Sequence, residues 1–299
     1  MRSARPGFGV LAASGSATAF GVTIVVQRRL ARDGLPVATA LGIRFAVAAS
    51  LLLLFLAVRR APLLPVRGER RAALLLGAVG YGGEAALFYL ALQRGSAGAV
   101  SLLFYAYPAI VTLLEVLLRL RPPRLVAFAV VVLSTVGVVL IVLTGDAVSI
   151  TPGGVGFALG AAVSFACYLL LSQRLLPTSP PTAVGAHVAG GAALALLTVA
   201  LVTGLPHVPA RDVPLLLLNG AATAVAFALL YAALANLAAG AAAVVMTLEA
   251  FVTVGLAALL LGERIRPLQL VGGLVVVAAA VLVALGARSR VVDPDVPVP

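Results

Sequence analysis

The stretch YLALQRGSAGA (residues 89–99) recurs 142 residues later as YAALANLAAGA (residues 231–241). The alignment needs no gap, and it places Tyr89 on Tyr231 and Gly98 on Gly240. Farther along the chain, the same shift aligns several leucines and places Arg124 on Arg266. Because alanine and leucine are abundant in this chain, some of their matches arise by chance, and the tyrosine, glycine and arginine matches are the stronger evidence. They indicate an internal repeat.

The composition is that of a membrane protein. The chain of 299 residues is 62% hydrophobic and 10% charged, with a mean hydropathy of +1.16. Soluble domains have about 45–50% apolar and about 25% charged residues, and disordered chains need low hydrophobicity. Both classes are excluded. The net charge of +11 comes from arginines that are clustered between apolar runs. Arginines in such positions set the orientation of a membrane protein, so the positive charge does not indicate binding to nucleic acid.

Polar, arginine-rich or Pro/Gly breaks divide the chain into ten apolar segments, each long enough to span a bilayer as a helix. Runs such as Leu51–Leu54 do not alternate in polarity, which excludes a transmembrane barrel. We therefore predict an all-α polytopic membrane protein with ten transmembrane helices. The predicted segments are 8–27, 37–58, 72–92, 97–118, 124–144, 153–173, 183–203, 213–233, 238–261 and 267–287.

The shift of 142 residues places segments three to five on segments eight to ten. Each repeat then has five spans, an odd number, so the second repeat must be inverted relative to the first. We predict a first five-helix repeat over residues 1–145, a second, inverted repeat over 146–288, and a disordered tail over 289–299. Inverted repeats are typical of secondary transporters, which bind their substrate near the midplane between the halves.

The arginines also predict the orientation. With the N-terminus in the cytoplasm, thirteen arginines fall on the cytoplasmic side and seven on the outer side. The loop between segments two and three alone holds five of the thirteen. The positive-inside rule therefore predicts a multi-pass protein of the plasma (inner) membrane with both termini in the cytoplasm.

Several short motifs resemble those of the EamA-type drug/metabolite transporters, in their order and spacing. They are Tyr89-Leu-Ala-Leu, Tyr107-Pro108, Arg44-Phe45, Leu248-Glu249 and Leu261-Gly262-Glu263-Arg264. The chain departs from the family pattern at Ala250, where a proline usually follows the glutamate, and at Leu120-Arg121, where a Gly-Glu would stand. The resemblance implies export of small metabolites from the cytoplasm, often amino acids or amphipathic toxins.

Two ionisable residues lie at a similar predicted depth on neighbouring segments. Arg44 lies about seven residues from the outer end of segment two, and Glu84 about eight from the outer end of segment three. Since a buried ion pair costs less than a lone buried charge, we predict that they pair. The pair could be purely structural, or Arg44 could extend its guanidinium toward the outer surface.

Glu249 lies near the midplane of segment nine, and the repeat places it on Tyr107 of segment four. A carboxylate withdrawn from water can take up a proton, as proton coupling requires; the alternative is a glutamate that only packs helices. Segment four also carries a polar face to which Tyr105 belongs, whereas its Glu115 has Arg119 four residues on, the spacing of a helical ion pair. The polar face consists of Ser101, Tyr105, Pro108, Thr112 and Glu115.

These observations predict a secondary transporter that exports small metabolites, either amino acids or small amphipathic compounds, by alternating access and with proton coupling. Its predicted substrate-binding or coupling residues are Arg44, Glu84, Tyr105, Tyr107 and Glu249. No catalytic, nucleotide-binding or metal motif occurs, so neither an enzyme nor a cofactor is expected. The alternatives are an uncoupled facilitator, a lipid or nucleotide-sugar carrier, or a non-transporting scaffold. Expected partners are the solute and membrane lipid, with the chain a monomer or homodimer.

Overall fold

The structure is a computed structural model that describes residues 5–32, 34–95, 100, 103–120, 125–143, 150–204, 208–261 and 267–288. These residues form a bundle of helices, apart from one isolated β-bridge between Gly95 and Ile150. The helices are α1 (Pro6–Arg32), α2 (Val37–Val58), α3 (Arg70–Leu92), α4 (Tyr107–Leu117), α5 (Leu125–Leu143), α6 (Pro152–Leu175), α7 (Pro181–Thr203), α8 (Val213–Leu234), α9a (Ala239–Met246), α9b (Leu248–Leu261) and α10 (Pro267–Arg288).

The helices follow the ten predicted segments in order, and the protein is a multi-pass membrane protein. Six described helices are long and apolar enough to cross a bilayer (α1, α2, α3, α6, α7 and the stretch Ala210–Leu234 that contains α8), and the other apolar helices are shorter. The full count of ten spans stays a prediction. So does the disordered tail over 289–299, which lies outside the described residues.

Helices from the two halves of the chain pack against each other. α1 lies along α8, α2 along α7, and α5 along α10, while α3 packs on α6 and α4 on α9a. We call the end of the bundle with the α1–α2 and α3–α4 connections the outer end. The end with the α2–α3, α6–α7 and α8–α9a connections is the inner end. Both names follow the orientation that the arginines predict.

Glycines bring α3 and α7 into backbone contact. A Cβ on Gly77 would lie 2.1 Å from the carbonyl oxygen of Val188, and one on Gly191 would lie 2.2 Å from that of Leu74. α3 also contains a wider, π-helical turn over Leu76–Tyr81, which the sequence did not predict. Close approach at small residues is the usual way in which helices associate in a bilayer, where lipid provides no hydrophobic driving force.

Two predicted continuous spans are interrupted. α4 begins only after a turn at Tyr105–Ala106, and the ninth segment is broken at Thr247, between α9a and α9b. Thr247 and Tyr105 are 142 residues apart, so the breaks occur at equivalent points of the repeats. Pro108 therefore lies in the first turn of α4, where helical N–H groups lack partners in any case.

A carboxylate joins two connections at the inner end. Glu69 accepts hydrogen bonds from the backbone N–H groups of Thr178 and Ser179, each at 3.0 Å, and from the Thr178 hydroxyl. The Ser179 hydroxyl in turn accepts a hydrogen bond from the N–H of Val66 at 2.9 Å. Burial raises the pKa of the Glu69 carboxyl, but the hydrogen bonds from Ser179 and Thr178 outweigh it and hold that pKa below its usual value.

The glycine contact predicts opposite effects at two adjacent positions. Gly191→Ala should destabilise the purified protein in detergent by about 1–3 kcal/mol, because its methyl group would overlap the backbone of α3. Gly190 has no heavy atom within 4 Å of its would-be Cβ, so Gly190→Ala should be neutral or stabilising by up to about 1 kcal/mol. Thermal unfolding of the two variants tests this, and equal melting temperatures would contradict the close contact.

The Glu69 carboxylate predicts a pH-dependent stability. Its folded-state pKa lies below the usual value of 4.5, so its stabilisation is complete above that pH and is lost as the pH falls through the folded-state pKa. Glu69→Gln should lower the melting temperature by about 3–6 °C at pH 7, because the amide nitrogen cannot accept a hydrogen bond. The difference from wild type should shrink toward pH 3. Asp293→Asn, in the predicted tail, is the control and should match wild type throughout.

Candidate substrate and coupling site

A small polar cavity lies in the outer half of the bundle. Its volume is about 60 Å³, room for a few water molecules. It is bordered by the outer parts of α1, α2 and α3, together with residues of α6 and α9b. The lining residues are Phe20, Thr23, Ile24, Gln27, Arg44, Tyr81, Glu84, Ala85, Phe88, Phe104, Phe165 and Glu249.

Arg44 is held at the cavity by a helix of the second half of the chain. Its Nε donates a hydrogen bond to the Thr223 hydroxyl at 2.6 Å, and that hydroxyl donates to the carbonyl oxygen of Asn219 at 2.7 Å. Only 4% of Arg44 is exposed. The predicted direct pair with Glu84 is wrong. The two side chains border the same cavity and interact electrostatically, yet in the described part of the chain they form no ion pair within 4 Å, and the Arg44 Nε donates to Thr223.

Both cavity glutamates are buried, with 6% of Glu84 and 9% of Glu249 exposed. Glu84 follows the π-helical turn of α3, and Glu249 lies in the first turn of α9b, just after the break at Thr247. In the part of the chain that the structure describes, neither carboxylate receives a hydrogen bond from a protein group. Their oxygens are therefore available to water, protons or a ligand in the cavity.

The charges of the site act on one another across the cavity. Arg44 interacts electrostatically with Tyr81, Glu84 and Glu249. With both carboxylates ionised, the three charged groups carry a net charge of −1, and one bound proton or one bound cation brings it to zero. Isolated charges at this depth are costly, about 2.5–3.5 kcal/mol each even on insertion scales. Their mutual interaction across the cavity reduces this cost.

Aromatic rings separate the cavity from the inner end. The Tyr81 ring packs 4.7 Å from that of Phe227 and 5.2 Å from that of Tyr168, measured between centroids. Farther inward, the hydroxyls of Tyr168 and Tyr231 are hydrogen-bonded at 2.7 Å. We call Tyr81, Phe165, Tyr168, Phe227 and Tyr231 the aromatic plug. Its members are buried and in ring contact with one another, between the cavity and the inner end.

Two of the five predicted site residues lie one layer behind the cavity. Tyr107 donates a hydrogen bond to the carbonyl oxygen of Ala243 at 3.2 Å and packs on Phe165, with centroids 4.9 Å apart. The ring of Tyr105 lies 6.4 Å from that of Tyr107. Tyr107 thus contacts other helices, whereas Arg44, Glu84 and Glu249 border the cavity together.

The polar face of segment four includes Glu115, which contacts a helix of the second half of the chain. Glu115 accepts a hydrogen bond from the N–H of Gly240 at 3.1 Å, which ties α4 to α9a. Arg119, its predicted partner, follows the end of α4, with a left-handed φ of 53°. Ser101 lies outside the described residues.

Most of the residues that line the cavity could not be identified from the sequence. Phe20, Thr23, Gln27 and Phe88 lie in apolar or loop-proximal stretches where nothing distinguishes them from packing residues. Tyr81 gave a signal, because it lies one turn before Glu84 on the same helix. Among the described residues, no group of three His, Cys, Asp or Glu side chains could hold a metal ion.

Comparison with known proteins shows the family to which the chain belongs. No curated protein matches the chain. A crystal structure with 16% sequence identity matches with a TM-score of 0.76 over 96% of both chains, which shows a shared fold. The model of the EamA-like transporter family matches residues 7–143 and 152–285. The resemblance found in the sequence is thereby confirmed: the chain belongs to the EamA-like transporter family of multi-pass membrane proteins.

Proposed function

We propose that the protein is a secondary transporter that exports small zwitterionic or amphipathic metabolites, amino acids among them, across the plasma membrane. It works by alternating access, and the exchange is coupled to protons. The observation that carries this proposal is the cavity itself. Three buried ionisable side chains border it, and among the described residues none of them is in an ion pair. A purely structural cluster would instead pair its charges, since unpaired burial is costly.

The lining supports a zwitterionic solute with an apolar part. The carboxylates of Glu84 and Glu249 suit an ammonium group, and the guanidinium of Arg44 suits a carboxylate, to which it can donate two hydrogen bonds. Phe20, Phe88 and the other rings offer apolar walls and can also attract a cation. Pockets that bind drug-sized ligands measure about 300–1,000 Å³, so the cavity of about 60 Å³ must widen to admit even a small solute.

The charge of the site supports proton exchange. One carboxylate more than the guanidinium can balance needs a cation, and a proton or the ammonium group of a cationic solute can fill that role. A zwitterion brings its own carboxylate and leaves the net charge at −1, but its ammonium group still competes with the proton for the same carboxylate. A solute leaving toward the outside would be replaced by a proton, which returns through the site to the cytoplasm. The net charge of the buried site then never exceeds one in either direction. Competition for one carboxylate is a simple way to couple the two fluxes.

Recurring local structure supports two inverted five-helix repeats. The fourth and ninth segments are interrupted at Tyr105 and Thr247, which are 142 positions apart and adjoin the lining residues Phe104 and Glu249. Such paired breaks are typical of transporters built from inverted repeats, where unwound backbone borders the substrate site. With the N-terminus in the cytoplasm, the cavity lies in the outward half and the aromatic plug closes the cytoplasmic half.

The alternatives differ in what the cavity would need. A nucleotide-sugar carrier would require several cations for its two phosphates, and Arg44 is the only cation among the lining residues that the structure describes. An uncoupled facilitator would not need an excess carboxylate. A scaffold would not need buried charges that face a cavity at all. The protein acts as a monomer or homodimer within lipid.

The test is transport by purified protein in lipid vesicles. An acidic lumen should drive uptake of externally added radiolabelled amino acids, because protons leave as the solute enters. Glu249→Gln should abolish this uptake while the protein remains folded, since a neutral amide takes up no proton near neutral pH and has no negative charge to attract an ammonium group. Uptake by the variant that still rises with the gradient would contradict the coupling role.

Glu69→Gln is the matched control, because it neutralises a buried glutamate outside the cavity. Its rate per folded molecule should equal that of wild type. Wild-type uptake that is independent of the pH gradient would indicate a facilitator. If neither amino acids nor amphipathic cations move in either vesicle preparation, the proposed transport is wrong.

A further inference from the structure

One glutamine fastens the inner end of the bundle. Gln173, near the end of α6, donates hydrogen bonds from its Nε2 to the carbonyl oxygens of Leu234, at 2.8 Å, and Leu237. Its Oε1 accepts a hydrogen bond from the N–H of Ala239 at 2.9 Å. One side chain thus binds three backbone groups of the connection between α8 and α9a.

The first half of the chain has a matching glutamine. Gln27 begins the sequence Gln-Arg-Arg-Leu near the end of α1, and Gln173 begins Gln-Arg-Leu-Leu near the end of α6. Phe20 and Phe165 precede them by seven and eight residues, and both rings border the cavity. Gln27 borders the cavity too. In the described part of the chain, its amide has no hydrogen-bond partner.

The α3–α4 and α8–α9a connections share two backbone hydrogen bonds at equivalent positions. The N–H of Gln93 donates to the carbonyl of Tyr89 at 3.1 Å, as that of Ala235 donates to Tyr231 at 3.0 Å. One residue later, Arg94 donates to Ala91 and Asn236 to Ala233, both at 2.9 Å. Leu92 and Gly95 therefore occupy, in the outer connection, the places of Leu234 and Leu237 in the inner one.

Each connection is also attached to the start of a helix in the other half of the chain. The N–H of Thr151, just before α6, donates to the carbonyl of Arg94 at 3.0 Å. The N–H of Arg5, just before α1, donates to Oδ1 of Asn236 at 2.9 Å. The first is accepted by a backbone carbonyl and the second by a side-chain amide oxygen, at equivalent positions of the repeat. The two ends differ in the glutamine, which is engaged at the inner end and free of described partners at the outer end.

We propose that Gln173 and Gln27 are alternating latches. In the conformation described here, Gln173 holds the connection between α8 and α9a closed, and we call this connection the inner gate. In the opposite conformation, Gln27 closes the outer gate, the connection between α3 and α4, by donating to the carbonyl oxygens of Leu92 and Gly95. The inference rests on the proposed alternating-access function and adds the residues that set the equilibrium between the two conformations. Each conformation has the hydrogen bonds of one latch and lacks those of the other, so the two conformations differ little in free energy.

The experiment measures the inner gate directly. Spin labels on Arg174→Cys and Ala235→Cys, both exposed neighbours of the inner latch, report its opening in a Cys167→Ala background. Gln173→Leu should raise the ratio of long to short distances by about tenfold, since three hydrogen bonds are lost. Gln173→Asn, whose amide is one methylene too short, should act in the same direction and replaces the leucine variant if that fails to fold.

The second variant distinguishes a latch from ordinary packing. Gln27→Leu, added to Gln173→Leu, should return the distance ratio toward that of wild type, because the inward-open state then loses its own latch. Gln93→Leu, an exposed glutamine of the outer connection, is the control and should have no effect. An unchanged inner distance in both Gln173 variants would overturn the inner latch. A double variant with the same ratio of long to short distances as Gln173→Leu would overturn the outer latch.

The distances need no substrate, so the two proposals can fail separately. If the ratios shift as expected while vesicles transport no amino acid, the substrate assignment is wrong and the latches stand. If transport depends on Glu249 and the pH gradient while the ratios do not move, the transport proposal stands and the latches are wrong.

Discussion

The cost of placing charge inside a bilayer governs this structure. Each ionised side chain there costs about 2.5–3.5 kcal/mol or more, so a fold that keeps Arg44, Glu84 and Glu249 must hold them where they can offset one another. The bundle places all three around one cavity of about 60 Å³. The hydrogen bond from Arg44 to Thr223 fixes the cation, and the carboxylates share the remaining space with whatever the cavity contains.

Close helix packing makes that cavity possible. Lipid is as apolar as leucine, so helices in a bilayer associate through contact and hydrogen bonds. The approach of Gly77 and Gly191 to facing backbone carbonyls joins α3 to α7. The hydrogen bond from Gly240 to Glu115 joins α9a to α4. With these contacts rigid, the broken helix α9 can expose Glu249 to the cavity without loosening the bundle.

The sequence predicted the parts of the site whose signal is local. A charge within an apolar segment stands out by itself, and hydropathy alone placed Arg44, Glu84 and Glu249 at depth. The partner of Arg44 could not be found in this way, because Thr223 is 179 residues away and is one threonine among many. The same holds for the aromatic lining. A phenylalanine beside a cavity and one in the core have the same sequence signal, and only tertiary contacts separate Phe165 from its neighbours.

The asymmetry between the two halves is the most informative part of the fold. The described parts of the two connections share two backbone hydrogen bonds, and each connection accepts one from the residue before a helix of the other half. In the proposed alternation, the difference between the two ends is one of conformation. At the inner end Gln173 is engaged and the Tyr168–Tyr231 hydrogen bond closes the plug; at the outer end Gln27 borders the cavity. A chain that repeats its own contacts can exchange the roles of its two ends at little cost in free energy, and a ligand with modest differential affinity can then shift the balance.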